Sequence, residues 1–170
     1  MSIKPRTKVP ALSLPMVGGG QFELAQSAPK TFTLLVAYRG LHCPICKTYL
    51  RDLDRKLAEF EALGVQAVAA STDTREKAEQ TKVEWGIEHL FIAYGLSVEQ
   101  ARAWGLFISA GIKDGEPPMF AEPGLFLIRP DQTLYAASIQ TMPFARPSFS
   151  DVLAAVKFVT EKDYPARGEA

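Results

Sequence analysis

"TFTLLVAYRGLHCPICKTYLRDLDRKLAEFEALG", residues 31–64, decides the fold because its hydrophobic period changes partway along. Residues 31–38 are apolar and β-branched, with the length of a buried strand. From Pro44 onward, Ile45, Tyr49, Leu53, Leu57, Phe60 and Leu63 recur at spacings of three and four. That spacing predicts an amphipathic helix, which Gly64 ends. Cys43 and Cys46, the 2 cysteines of the chain, lie where the two patterns meet.

A strand-to-helix junction puts Cys43 near the helix N-cap and Cys46 in the first turn. Unpaired backbone N–H groups and the positive end of the helix dipole stabilise a thiolate there. Pro44 falls near the first helical position, where its missing N–H costs nothing. A free thiol titrates near 8.5, and such a setting lowers that to about 3.5–7.5. Thiolate attack, a mixed disulfide and resolution by the neighbouring cysteine complete a cycle that needs no cofactor. Zinc usually takes four ligands, and the remaining nitrogen donors are His42 and His89, the first of them adjoining Cys43. A c-type haem site fails on order, because the motif runs His-Cys-x-x-Cys. No metal is expected. His42 reads first as a lining of the surface loop and second as a cation beside the thiolate. Two inert, buried cysteines are the competing interpretation of the pair.

Outward from this segment, "VQAVAAS" (65–71) is a buried strand, and Asp73 with Glu76 has the spacing of a capping box for a helix to about Trp85. "HLFIAY" (89–94) suggests a strand, and Ser97 with Gln100 opens a short helix to Trp104. Residues 105–122 read as a long loop. "GLFLI" (124–128) and "TLYAASIQ" (133–140) flank a Pro-Asp turn as a hairpin does, and Ser148 with Asp151 starts a last helix. "QFEL" is a candidate edge strand. Trp85, Trp104 and the phenylalanines read as core, and Asp52, Asp54, Glu59 and Glu61 as a solvated helix face. The alternation predicts an α/β sandwich of three layers, a mixed central sheet with helices on both faces. With Cys-x-x-Cys after the first long strand, the expected fold is thioredoxin-like. Residues 1–20 are an irregular leader, 21–162 a single domain and 163–170 a tail.

A chain of 170 residues suits one domain with a well-buried core. Its 19 basic and 19 acidic residues balance, which disfavours a nucleic-acid face or a polybasic membrane patch. Prolines interrupt the N-terminus before any signal-peptide core forms, and no apolar run is long enough to span a bilayer. Cytoplasm is the default expectation.

From residue 31 to about residue 158 the chain resembles the thioredoxin-like superfamily. Within it, the resemblance is to peroxiredoxin-like proteins of the alkyl hydroperoxide reductase/thiol-specific antioxidant group. "LLVAYRGLHCPICKTYL" and "GLFLIRPDQTLYAASIQTMPFARPS" carry it. It implies a disulfide or peroxide substrate and a thiol reductant such as a thioredoxin or glutathione system, and it leaves a homodimer open. In the family's register Cys46 stands at the peroxidatic cysteine, Cys43 at its Thr, Arg39 at its Pro and Pro123 at its catalytic Arg. Arg39 and Arg146 are then the candidates to supply positive charge. Pro123 is similar to the cis-proline of thioredoxins, so the Glu122–Pro123 bond is expected to be cis, with Glu122 near the thiols and opposing their ionisation. The expected function is a thiol-disulfide oxidoreductase, an antioxidant redoxin, with Cys43 and Cys46 catalytic and Arg39, His42, Pro123 and Arg146 binding substrate or tuning pKa. Thioredoxin analogy makes Cys43 the attacker, and peroxiredoxin register makes it Cys46. The alternative is a catalytically quiet binding or assembly module of the same fold.

Overall fold

Phe32–Ala37 (β3) is buried at every position because it is the middle strand of a five-stranded sheet. The structure is a computed structural model that describes residues 3–170. On one side β3 pairs in parallel with Val65–Ala70 (β4), which pairs in parallel with Phe91–Ala93 (β5). On the other it pairs antiparallel with Gly124–Ile128 (β8), itself antiparallel to Leu134–Ile139 (β9). The hairpin therefore supplies the antiparallel half of a mixed sheet, as expected.

Side-chain alternation divides the core in two. Leu34, Val36, Leu125 and Leu127 face the helices Pro44–Ala62 (α1), Arg75–Glu84 (α2) and Phe149–Lys162 (α4) through Leu50, Phe60, Trp85, Phe149 and Val156. Leu35, Ala37, Phe126 and Ile128 face the other way, onto Ala101 and Trp104 around the short helix Val98–Ala103 (α3). Both faces are covered, so the central strands read as continuous apolar runs. The three-layer α/β architecture is the predicted one.

Four segments depart from the sequence-based expectation. The leader is not irregular throughout, since Ser13–Pro15 (β1) pairs with Gln21–Glu23 (β2) and Val9, Leu12 and Leu14 are buried against the sheet. Three glycines in succession at positive φ, Gly18, Gly19 and Gly20, make the turn between them. The loop 105–122 contains an antiparallel pair, Ile108–Ala110 (β6) and Met119–Ala121 (β7). The tail is held by the Arg6 Nε bond to the Ala166 carbonyl and the Tyr135 hydroxyl bond to the Tyr164 carbonyl, each 3.0 Å. Finally, α2 is capped by Thr74, whose side chain accepts from the Lys77 N–H, and not by Asp73. The Ser97–Gln100 capping box and the Ser148 cap are formed as the spacing predicts. Among the described residues no helix is long and apolar enough to cross a membrane.

Candidate redox site

The site lies where β3 runs into α1. Cys43 is the N-cap of the helix with extended backbone (φ −106°, ψ 101°), and its Sγ accepts the Cys46 N–H at 3.2 Å. Pro44 occupies the first turn, as a residue without an N–H should. Cys43 and Cys46 are joined as a disulfide with Cα atoms 5.3 Å apart. Both are buried, at 3% and 0% exposure. The cause is the phase of α1. Its buried stripe is Cys46, Leu50, Leu53, Leu57 and Phe60, whereas Ile45 is 42% exposed. The second cysteine is thus the first residue of the helix's apolar face, a place the sequence pattern had given to Ile45.

Arg146 reaches the pair from the segment before α4. Its Nη2 donates to Cys46 Sγ at 3.0 Å, its Nε donates to the Pro143 carbonyl, and its Nη1 is buried without a partner. The guanidinium lies 4.8 Å from the centre of the Tyr49 ring, a cation–π contact. Tyr49 is fixed in turn by its hydroxyl bond to the Pro147 carbonyl (2.7 Å) and by stacking on Phe149 (4.2 Å). Burial pulls the Arg146 pKa down to about 10, the attraction of Tyr49 and Glu122 opposing that shift and Arg39 adding to it. It is still a cation at neutral pH, so a thiolate on Cys46 has a counter-charge in contact.

Arg39 is engaged elsewhere. It forms a fork on Glu122, Nε to Oε2 at 2.8 Å and Nη2 to Oε1 at 2.7 Å, and the Ser109 hydroxyl donates to the same carboxylate at 2.5 Å. Its guanidinium also lies 5.3 Å from the Phe120 ring centre. The structure therefore corrects the role expected for Glu122. Its charge is neutralised by Arg39 and does not stand free beside the thiols.

Pro123 needs a second correction. No peptide bond among the described residues is cis, so Glu122–Pro123 is trans. The chain leaves β7 at Ala121 and enters β8 at Gly124, and the Glu122 N–H donates to the Phe107 carbonyl at 2.8 Å. Glu122 and Pro123 link the two strands directly, and the Pro123 carbonyl accepts the Gln140 N–H at 2.9 Å. Pro123 is buried and lines a small cleft with Tyr49, Arg146 and Pro147.

His42 is half-buried, its ring edge-on to Phe120 at 4.6 Å, and its Nε2 is buried without a partner. Burial lowers its pKa, Glu116 opposes this, and Arg39, Lys77 and Lys113 add to it. It is a neutral imidazole at neutral pH and gives the sulfurs no cation.

The sequence profile of the AhpC/TSA family matches residues 5–137. The chain belongs to the AhpC/TSA family. No curated protein matches the chain significantly. Among solved structures, a cysteine-to-serine mutant of peroxiredoxin 6 from Arenicola marina superposes with a TM-score of 0.77 at 18% identity, covering 95% of this chain and 75% of that one. The peroxidoxin BcpB of Mycobacterium tuberculosis gives a TM-score of 0.74 at 18% identity over 92% of this chain and 98% of its own. Reduced Prx3 of Vibrio vulnificus, solved in complex with hydrogen peroxide, gives 0.76 at 14% identity over 91% and 99%. At these identities the likeness establishes the peroxiredoxin fold.

Of the residues singled out by sequence, the fold brings together Cys43, Cys46 and Arg146, with Pro123 behind the arginine. Arg39 and His42 gather instead around Phe120. Tyr49 and Ser109 were missed as site residues. Tyr49 sits one turn after Cys46, and its aromatic face was the one signal available; Ser109 has none in a segment without period.

Proposed function

We propose that this chain is a thiol-disulfide oxidoreductase that reduces peroxides, cycling between a dithiol and the Cys43–Cys46 disulfide. The observation that carries this is the contact of Arg146 Nη2 with Cys46 Sγ, beside a cysteine pair at a helix N-terminus. A Cys46 thiolate, stabilised by Arg146 and the first turn of α1, attacks one oxygen of the peroxide. The O–O bond breaks, the departing oxygen takes a proton to leave as an alcohol or water, and Cys46 becomes a sulfenic acid. The Cys43 thiol then displaces hydroxide from that sulfur, water is released and the disulfide forms. Two equivalents of an external thiol return the pair to the dithiol and leave as their own disulfide. The otherwise unpartnered Nη1 of Arg146 is a donor suited to the peroxide oxygen where charge develops.

Stopped-flow mixing of the reduced protein with peroxide, and separately with a small disulfide, tests this. Fast thiol loss with peroxide that Cys46→Ser abolishes is the expected result, and rates no higher than those of free cysteine would refute it. The burial of both sulfurs is the observation on which a catalytically quiet binding module of the same fold would rest, and slow rates with both substrates would favour that reading.

A further inference from the structure

Asp73 is a carboxylate the redox cycle does not use, and it is 2% exposed. It stands just past β4, where the strand ends meet the segment leading to Cys43. Its Oδ2 accepts the Leu41 N–H at 2.8 Å, while its Oδ1 is buried with no partner. Gly40 packs against it so closely that a Cβ there would meet Oδ1 at 2.6 Å, and Gly40 has φ +130°. The Gly40 carbonyl accepts the Cys43 N–H at 3.1 Å. A short relay of contacts thus joins the carboxylate to the N-cap cysteine.

The same carboxylate is expensive to keep ionised. Burial raises its pKa, and the Leu41 amide, Lys77 and Ser71 only partly offset that. The groups around it are the Tyr38 phenol from the end of β3, itself raised by burial, and the Lys77 ammonium from α2. The Gly95–Leu96 turn, bonded through its N–H groups to the carbonyls of Asp73 and Ser71, brings no charge, and His42 on the Leu41 loop is neutral. Asparagine would keep the shape without the desolvation penalty. What ionisation adds is a charge-assisted acceptor for the Leu41 N–H, roughly twice as strong as a neutral one.

We propose that Asp73 is a positioning residue for Cys43: its carboxylate clamps the Gly40–Leu41 turn and so holds Cys43 in the N-cap geometry from which its sulfur meets Cys46. This builds on the redox function proposed above. It acts on the reacting pair through the backbone and touches neither sulfur's substrate.

The test isolates Cys43 in a Cys46→Ser background and measures its alkylation by iodoacetamide across pH, with Asp73 intact, Asp73→Asn and Asp73→Ala. The alanine protein should alkylate about tenfold more slowly at pH values below the thiol pKa, the effect of raising that pKa by about one unit. Asparagine should fall between. The profile of the Asp73 protein should converge on that of asparagine as pH falls and the carboxylate takes a proton. Leu41 amide exchange should speed in the same order. Equal rates for Asp73 and Ala, or superimposed pH profiles for Asp73 and Asn, overturn the proposal; if alanine does not fold, the asparagine comparison decides alone. Stopped-flow mixing of peroxide with the protein carrying both cysteines tests the redox function separately. Thiol loss no faster than free cysteine, with the alkylation ratios intact, sinks that function and leaves the clamp standing, and fast peroxide reduction with alkylation ratios near unity does the reverse.

Discussion

Replacing Arg39 by methionine strands a carboxylate in the core. Glu122 is 1% exposed, whereas Arg39 is 22% exposed, so the two partners do not lose equally when the pair is broken. Without Arg39 the carboxylate retains a single donor, the Ser109 hydroxyl, of the three it has now. An uncompensated buried charge of this kind costs about 3–5 kcal/mol, roughly a fifth or more of a marginal domain's stability of about 5–15 kcal/mol. Glu122→Gln is milder. The amide oxygen still accepts from Ser109, and the partly exposed guanidinium turns to water, so about 1–2 kcal/mol is expected. The double variant should then be more stable than Arg39→Met alone, because no charge remains to bury. Urea unfolding of the four proteins gives the cycle. Equal losses for the two single variants, or a double variant worse than Arg39→Met, would refute the reasoning from unequal burial.

Asp54 and Asp73 should move stability with pH in opposite senses. Burial raises the Asp54 carboxyl, but N–H donation from Leu90, Glu88 and His89 outweighs it and the net pKa is lowered, so its contribution is present at neutral pH and lost as pH falls through the folded value. Asp73 is raised, so its ionisation disfavours the fold at neutral pH and the deficit disappears on acidification; unfolding of Asp54→Asn and Asp73→Asn across pH should show a loss and a gain respectively, both fading in acid. Arg146→Met should slow peroxide reduction on the order of 10²-fold by removing the donor at Cys46, read by stopped flow, and an unchanged rate would remove this arginine from the chemistry. Gly40→Ala should cost about 1–3 kcal/mol in denaturant unfolding, because it combines a strained φ with a clash on Asp73, and a neutral effect would contradict that close approach.

The central strands and long helices were legible because burial writes a period into the chain. β3 reads as an unbroken apolar run and α1 as a stripe, and Ser97, Gln100 and Ser148 mark helix starts by local hydrogen-bonding chemistry. The cysteines were legible for the same reason, since a strand-to-helix junction fixes where they stand. What escaped depends on partners distant in sequence. Arg146 meets Cys46 across 100 positions and Arg39 meets Glu122 across 83, and nothing local encodes either meeting. Asp73 has the spacing of a cap but is drawn to Leu41, a tertiary partner outcompeting a local one. The strands β6 and β7 are too short, among prolines and glycines, to leave a period. Pro123 drew from thioredoxins the expectation of a cis bond, and the bond is trans.

Cys46 heads the apolar stripe of α1 with no exposed surface, so the sulfur proposed to meet peroxide is a structural one as well. Each turn of the proposed cycle that ends in a disulfide leaves both sulfurs uncharged. Oxidation past the sulfenic acid does not, because a sulfinate is permanently charged and bulkier than a thiol. Its two added oxygens have to fit where Cys46 has no exposed surface, and overfilling a packed interior destabilises the structure around it. The first turn of α1 should therefore loosen in over-oxidised molecules, which limited proteolysis would register as new cleavage near Pro44. Damage at this sulfur would then be legible to a protease.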